Sequence, residues 1–302
     1  INNNVSVGFG TDYKYDWGYF SNNGSYNAIT KGNSDNLALY GNLGWNILKD
    51  TNLSLFGRND YHKQTKSNNT FKINLNQNFK KMNFGVSHMN GLRNPTLYEM
   101  FGTDNFGYSG NRDLNPEKSN TYEIYSNLKF NNNFDFKIRA FRSNIKNNIE
   151  YISNKYQNDK DNVDLNQSGI NSQINYNYNN INLSLYSSFL SSKKENSSDQ
   201  LRRPEKNYGA IFSRNIFTKY IGDINLDLVY NHYGKHFDTH STSFSTIEMD
   251  STDLVDIKLS KNGLIGNYFL KISNMMNENY QRPHGYNQEK RRINIGFKKS
   301  YW

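Results

Sequence analysis

GLRNPTLYEMFGTDNFGYSGNRDLNPEKSNTYEIY, residues 91–125, is the stretch on which the reading of this chain turns. A strand-like run precedes it at 82–89, and another overlaps its end at 121–130. Between them lie Pro95, Pro116 and glycines at 91, 102, 107 and 110. Proline fixes φ and biases its predecessor toward extended backbone, so Asn94-Pro95 and Asn115-Pro116 mark chain bends. A connection of this length is unusual inside a compact domain, and such loops tend to carry function.

Outward from this stretch the chain reads as strands. Phe134, Phe136, Ile138 and Ala140 alternate with Asp135, Lys137 and Arg139. The same period of two runs through Phe71, Ile73 and Leu75, through Ile224, Leu226, Leu228 and Tyr230, and through Val255, Ile257 and Leu259. One face of each strand is therefore apolar and the other polar. The pattern predicts strands over 4–19, 35–47, 51–62, 69–79, 82–92, 119–130, 134–150, 163–178, 181–191, 206–216, 222–233, 251–260, 264–273 and 290–301. The connections alternate in length. Short, Asn- and Lys-rich turns fall at 48–50, 80–81, 131–133, 179–180, 218–221 and around Asn262-Gly263. Long ones fall at 20–34, 63–68, 93–118, 151–162, 192–205, 234–250 and 274–289. If successive strands are antiparallel, every short turn lies at one end and every long loop at the other. That asymmetry, with strands of ten residues or so, is the pattern of an outer-membrane barrel. A soluble sandwich would mix the lengths and would stay in solution without detergent.

Composition narrows the class. Hydrophobic residues make up 35% of the 302, yet the chain holds 23 Tyr and 19 Phe. That is too polar for a large soluble core, but it suits strands with one apolar face and aromatic girdles at the membrane interfaces. With no cysteine, disulfides, thiol chemistry and thiolate metal sites are excluded. No run of eighteen apolar residues offers a transmembrane helix. The net charge of +9 favours anionic ligands or a lipopolysaccharide surface. Nucleic acid is the rival partner, but the charges are scattered and form no basic helix. No pairing of His with Ser, and no paired carboxylates, stands out, so the chain reads as a non-enzyme without a cofactor. It begins Ile-Asn-Asn-Asn, with neither Met nor a signal peptide, and is expected to be a fragment or processed piece.

The opening stretch also resembles the signature of TonB-dependent outer-membrane receptors. The matching residues are Arg93, Pro95, Thr96, Leu97, Tyr98 and Glu99, then Gly110, Asn111, Leu114, Pro116, Glu117 and Ser119. Near the other end, Asn274-Met275-Met276-Asn277-Glu278-Asn279-Tyr280 resembles that family's N-L-F-D-x-x-Y segment, with Met-Met-Asn in place of Leu-Phe-Asp. The chain ends on Trp302, off the register of Ile293, Ile295, Phe297 and Tyr301, where the family usually ends in an in-register Phe. The resemblance implies an all-β antiparallel transmembrane barrel. Residues 1–302 would supply about fourteen strands of roughly twenty-two, without the plug domain or the TonB-contacting segment. It implies active import: extracellular loops bind a scarce ligand, and the TonB complex remodels the plug.

Within the family, the resemblance is to the cobalamin (vitamin B12) branch. Leu201-Arg202-Arg203, Gly234-Lys235-His236-Phe237-Asp238 and Asp253-Leu254-Val255-Asp256 carry it, with His236 where the family has Arg. It implies substrate contacts at Arg202 and, by looser alignment, Ser241. A guanidinium at a strand–loop junction can hydrogen-bond the amide or phosphate oxygens of cobalamin, or serve as a solvated rim residue. Leu97-Tyr98 and Phe106-Gly107-Tyr108 would line the external mouth or pack within their own loop. His236 and His240, with Asp238 between, and Asp159, Asp161 and Asp164 near Asn162 and Asn166, are the groups from which a metal site could be built. A loop does not hold the two histidines on one face, and calcium needs several convergent oxygens that a loose acidic run does not ensure, so no metal site is expected. A ferric-siderophore or haem receptor shares the architecture, and a passive porin would be a barrel without a plug.

Overall fold

The computed structural model describes residues 4–22, 27–158, 164–194 and 200–299. Its elements begin with β1 (Val5–Ser21), β2 (Ile29–Leu48), β3 (Thr51–His62), β4 (Lys66–Asn78) and β5 (Met82–Arg93). The short helix α1 (Leu97–Phe101) and β6 (Gly102–Thr103) come next, then β7 (Glu117–Lys129) and β8 (Phe134–Lys146). Then follow β9 (Ile149–Ile152), β10 (Lys155–Asn158), β11 (Leu165–Tyr178), β12 (Ile181–Lys194), β13 (Lys206–Thr218) and β14 (Gly222–Tyr233). The chain closes with β15 (His236–Thr239), β16 (Thr246–Met249), β17 (Thr252–Asn262), β18 (Asn267–Ser273) and β19 (Arg292–Lys298).

Fourteen of these strands form one antiparallel meander, from β1 through β2–β5, β7, β8, β11–β14, β17 and β18 to β19. Each corresponds to an expected strand. The pairs β9/β10 and β15/β16 are separate two-stranded ribbons within connections, and β6 pairs with β2.

Turns gather at one end: 49–50, 79–81, 130–133, 179–180, 219–221 and 263–266. The other connections all lie at the opposite end, and five of them, 94–116, 147–164, 195–205, 234–251 and 274–291, are long. One expected long loop is a correction. The 63–68 connection is a three-residue turn, because Lys66 takes φ 61° and pairs directly with His62. A left-handed residue closing a three-residue hairpin is a favoured solution. The His62 ring supports it, with Nδ1 accepting from the Gln64 and Thr65 N–H groups at 3.3 Å each. Likewise β1 and β2 continue pairing as far as Ser21↔Ile29, so the 20–34 connection is shorter than expected. Tyr301 and Trp302 lie outside the described residues.

Register separates two faces. Ile124 sits opposite Ala140, Ala140 opposite Ile170, and Ile170 opposite Phe189, so one apolar row crosses four strands. Leu228↔Ile257 and Leu226↔Leu259 continue the same face further along the sheet. These side chains are not hidden by protein: Ile124 is 47% exposed and Phe189 48%. On the other face Glu123, Tyr125, Arg139, Asn171, Gln173 and Tyr186 line a cavity of about 1110 Å³. Among the described residues the buried hydrophobic side chains are Ala38, Met100, Tyr108, Leu114, Ile149 and Leu165, most of them under the loops. A water-soluble domain would hide its apolar rows in a core. Here they form an exposed band, which is what a sheet solvated by lipid requires.

Candidate functional site at the loop rim

Two loop assemblies crown the sheet. The first is built by the 91–125 stretch itself. Thr96 caps α1: its Oγ1 accepts the Glu99 N–H at 3.2 Å, and Glu99 Oε2 accepts the Thr96 N–H at 2.7 Å. This reciprocal box satisfies donors that so short a helix would otherwise leave open. Arg93, at the end of β5, then clamps the loop. Its guanidinium donates to both oxygens of Glu99 at 3.2 Å and to those of Glu117 at 2.7 and 2.9 Å. Glu117 Oε1 also accepts the Ile149 N–H at 2.8 Å, tying the β9/β10 ribbon to the same clamp. Gly110 N–H donates to the Gly102 carbonyl at 2.6 Å, and a Cβ on Gly110 would lie 2.5 Å from the Met100 carbonyl carbon. The signature residues are thus a loop scaffold.

Four tyrosines, Tyr98, Tyr108, Tyr151 and Tyr156, pack together over this scaffold at centroid separations of 4.9 to 6.1 Å. Tyr108 is buried and donates its hydroxyl to the Tyr98 carbonyl at 2.6 Å. Burial pushes that hydroxyl well above the usual tyrosine range. Tyr108 therefore serves loop packing, whereas Tyr98 and Phe106 face outward.

The second assembly brings Arg202 and Ser241 together. Arg202 adopts φ 60°, and its N–H donates to the Phe237 carbonyl at 2.6 Å, which docks its loop on β15. Its Nε donates to Asp238 Oδ1 at 2.7 Å. Asp238 is fully buried and also accepts the N–H groups of Thr239 and His284, at 2.7 and 2.8 Å. Burial pushes this carboxyl up, but the Arg202 guanidinium and the two backbone donors outweigh it and hold it below the usual range. His284 Nδ1 in turn accepts the Ser241 N–H at 3.1 Å. The chain Arg202–Asp238–His284–Ser241 thus spans three connections.

Beside it opens a cavity of about 300 Å³, lined by Arg202, Asn207, Tyr233, His236, Arg282 and Pro283. The Arg282 guanidinium stacks 4.2 Å over the Tyr233 ring. Asn207 Oδ1 is buried there without a hydrogen-bond partner among the described residues. Arg282, Tyr233 and Asn207 escaped sequence reading: they belong to no shared segment, and only the folding of the last loop over β13 and β14 brings them to Arg202. His236 is buried in the cavity wall, while His240 stacks near His284 at 4.5 Å and accepts the Ser243 N–H. Among the described residues no group of three metal-ligating side chains converges. Asp159, Asp161 and Asn162 lie outside the described residues; Asp164 accepts from Asn144 at 2.9 Å.

Comparison with known proteins agrees with this geometry. A family model described as "TonB dependent receptor-like, beta-barrel" matches residues 1–274. No curated protein matches. Among solved structures, the siderophore receptor PirA from Acinetobacter baumannii superposes with a TM-score of 0.71 at 13% identity, over 96% of this chain and 54% of that one. The FrpB iron transporter from Neisseria meningitidis gives 0.73 at 12% identity, over 98% of this chain and 52% of its own. The ferripyoverdine receptor of Pseudomonas aeruginosa gives 0.72 at 12% identity, over 96% and 44%. The chain spans about half the length of these structures, and at such identities the likeness is one of fold. Their names refer to siderophores and iron, not to cobalamin.

Proposed function

The chain belongs to the TonB-dependent receptor β-barrel family, and from that premise we propose that it forms wall and extracellular rim of an importer of a scarce metal chelate. Such barrels sit in the outer membrane of Gram-negative bacteria, and the exposed apolar face of this sheet fits that solvent. Import, not catalysis, is the proposed role. Coupling to TonB and occlusion by a plug domain belong to the same proposal. The polar cavity lined by Glu123, Tyr125 and Arg139 offers a surface against which a plug would pack.

One observation carries the choice of ligand. The rim cavity sets two guanidiniums, Arg202 and Arg282, beside a tyrosine ring and a buried, unpaired amide oxygen. Asp238 offsets Arg202, so the cavity keeps a net positive charge from Arg282 while the Arg202 guanidinium stays open to further bonds, which favours an anionic chelate, and so a ferric siderophore. Cobalamin is the second reading; its support is the Leu201-Arg202-Arg203 and Gly234–Asp238 segments, with Arg202 and Ser241 as the contact residues. The experiment is a titration of the full-length receptor with a ferric siderophore and with cobalamin, repeated for Arg202→Ala and Arg282→Ala. A siderophore affinity that falls at least tenfold in each variant supports the first reading. Tight cobalamin binding lost in Arg202→Ala supports the second, and unchanged affinities in both variants remove this cavity from the site.

A further inference from the structure

The outer wall carries a cluster of cations that ligand import does not use. Lys118 and Lys146 sit directly opposite each other on β7 and β8. By strand alternation they share the face of Tyr122, Ile124 and Ala140, the apolar side of the sheet. Like charges opposite one another destabilise a strand pair unless something neutralises them. Asp164 offsets them weakly, at 3.8 Å from the Lys146 ammonium. Arg142 lies on the same face, four residues toward the membrane from Lys146, or about 13 Å along the strand. Among the described residues no ion pair, hydrogen bond or ring contact engages the side chain of Lys118 or Arg142. Arg142 and Lys146 share β8, and strand pairing brings Lys118 to them.

Below Arg142 the same face forms an apolar groove of about 560 Å³, lined by Ile73, Leu75, Val86, Tyr122 and Ile124. Arg142 closes its loop-side end. Tyr122 stacks on His88 at 4.3 Å there, marking the interfacial aromatic level. His88, Tyr122 and Arg142 are direct cross-strand neighbours, so from the membrane outward the order is apolar groove, then aromatic pair and guanidinium at one level, then lysine pair. An occupant that fits must be an amphiphile, with hydrocarbon below and phosphate above. The loops of such barrels are extracellular, so the groove faces the outer leaflet.

We propose that this strip binds the phosphorylated glycolipid of that leaflet, lipopolysaccharide. An acyl chain lies in the groove and phosphates engage Arg142, Lys118 and Lys146. Guanidinium takes a phosphate bidentately, and ammonium groups neutralise it as point charges. The proposal rests on the outer-membrane location given above.

The test uses the full-length receptor, purified from outer membranes in mild detergent. Native mass spectrometry then counts retained rough lipopolysaccharide for wild type, for K118Q/R142Q/K146Q, and for a charge-matched control, K49Q/K80Q/K81Q, at the turn end. The rim-side triple variant is expected to retain at least tenfold less, and the control as much as wild type. Ala140→Trp, which fills the groove and leaves the cations, is expected to lower retention as well. Dephosphorylated lipid and phosphatidylglycerol should compete at least tenfold less well. Wild-type retention by the rim-side triple variant, or equal competition by either lipid, overturns the site while leaving the barrel intact. Recovery of the receptor outside the outer membrane would overturn the location, and the site with it.

Discussion

Arg202 donates its Nε to Asp238 at 2.7 Å, and the carboxylate it meets is wholly buried while the guanidinium keeps 59% of its surface open. One residue therefore both locks the rim and faces the cavity. Removing the carboxylate strands three donors. Asp238→Ala is expected to loosen residues 236–249 by about 1–3 kcal/mol, the cost of leaving buried donors unpaired. Limited proteolysis should cut this loop faster at pH 7 while the barrel itself stays folded. The pH dependence has a definite sign. The folded carboxyl titrates below its unfolded value of about 3.9. Its contribution is therefore complete above pH ~4 and fades as pH falls through the lower folded value. Wild-type cleavage should be flat from pH 5 to 8 and rise in stronger acid; the variant should lack that rise.

Arg93 makes a parallel case on the other assembly. It holds Glu99 and Glu117 at once, and both carboxylates are largely enclosed. Arg93→Ala is expected to release loop 94–116 and the β9/β10 ribbon together, at a local cost of about 1–3 kcal/mol. Lysine should rescue little, because one ammonium cannot reproduce a fork shared by two carboxylates. Hydrogen exchange at Glu99, Gly110 and Ile149 reads this directly, and protection unchanged in Arg93→Ala would contradict the clamp.

Glycine provides a paired test of the same loop. At Gly110 a methyl group would meet the Met100 and Phe101 backbone at 2.5 to 2.6 Å. Backbone cannot move aside as a flexible side chain can, so Gly110→Ala should cost about 1–3 kcal/mol of loop stability. Gly57, in the middle of β3, has nothing within 4 Å of the same position. Gly57→Ala should stay within about 0.5 kcal/mol of wild type. Equal protease sensitivity of the two variants would count against the close packing of Gly110.

Leu228 faces Ile257 on the apolar side, and Asp227 faces Lys258 on the other. Leu228→Arg should destabilise the membrane-inserted barrel by about 2–4 kcal/mol, as charge on a lipid face does. Asp227→Asn, on the lumen side, should be nearly silent. Urea titration of refolding into lipid vesicles measures both, and equal effects would mean that the faces are misassigned.

How much of this was legible differs between the wall and the rim. Phe134 to Ala140 and Ile224 to Tyr230 alternate because each strand meets two solvents, so the fourteen strands could be read from local periodicity alone. The exceptions have local causes too: Lys66 in a left-handed conformation turns an expected loop into a hairpin. Rim contacts are of another kind. Asp238 and His284 meet across 46 residues of sequence, and no period or short motif encodes such a meeting. Arg202 was singled out by resemblance, but its partner Arg282 was not, because loop packing alone brings the two to one cavity. The resemblance at residues 91–125 identified the family through residues that hold a loop together. It said nothing about what that loop recognises.

The central claim is that this sheet crosses the outer membrane with its turns inside and its loops outside. Residues 1–302 contain no cysteine, and with any cysteine elsewhere in the receptor replaced by serine, single cysteines can be labelled without background. Asn180, in a turn between β11 and β12, and Ser243, in the loop between β15 and β16, are both exposed. Cells carrying the full-length receptor with Asn180→Cys or Ser243→Cys are treated with a membrane-impermeant maleimide. The account predicts that Cys at 243 labels in intact cells, and that Cys at 180 labels only after the outer membrane is permeabilised. Labelling of both in intact cells, or of 180 alone, would contradict it.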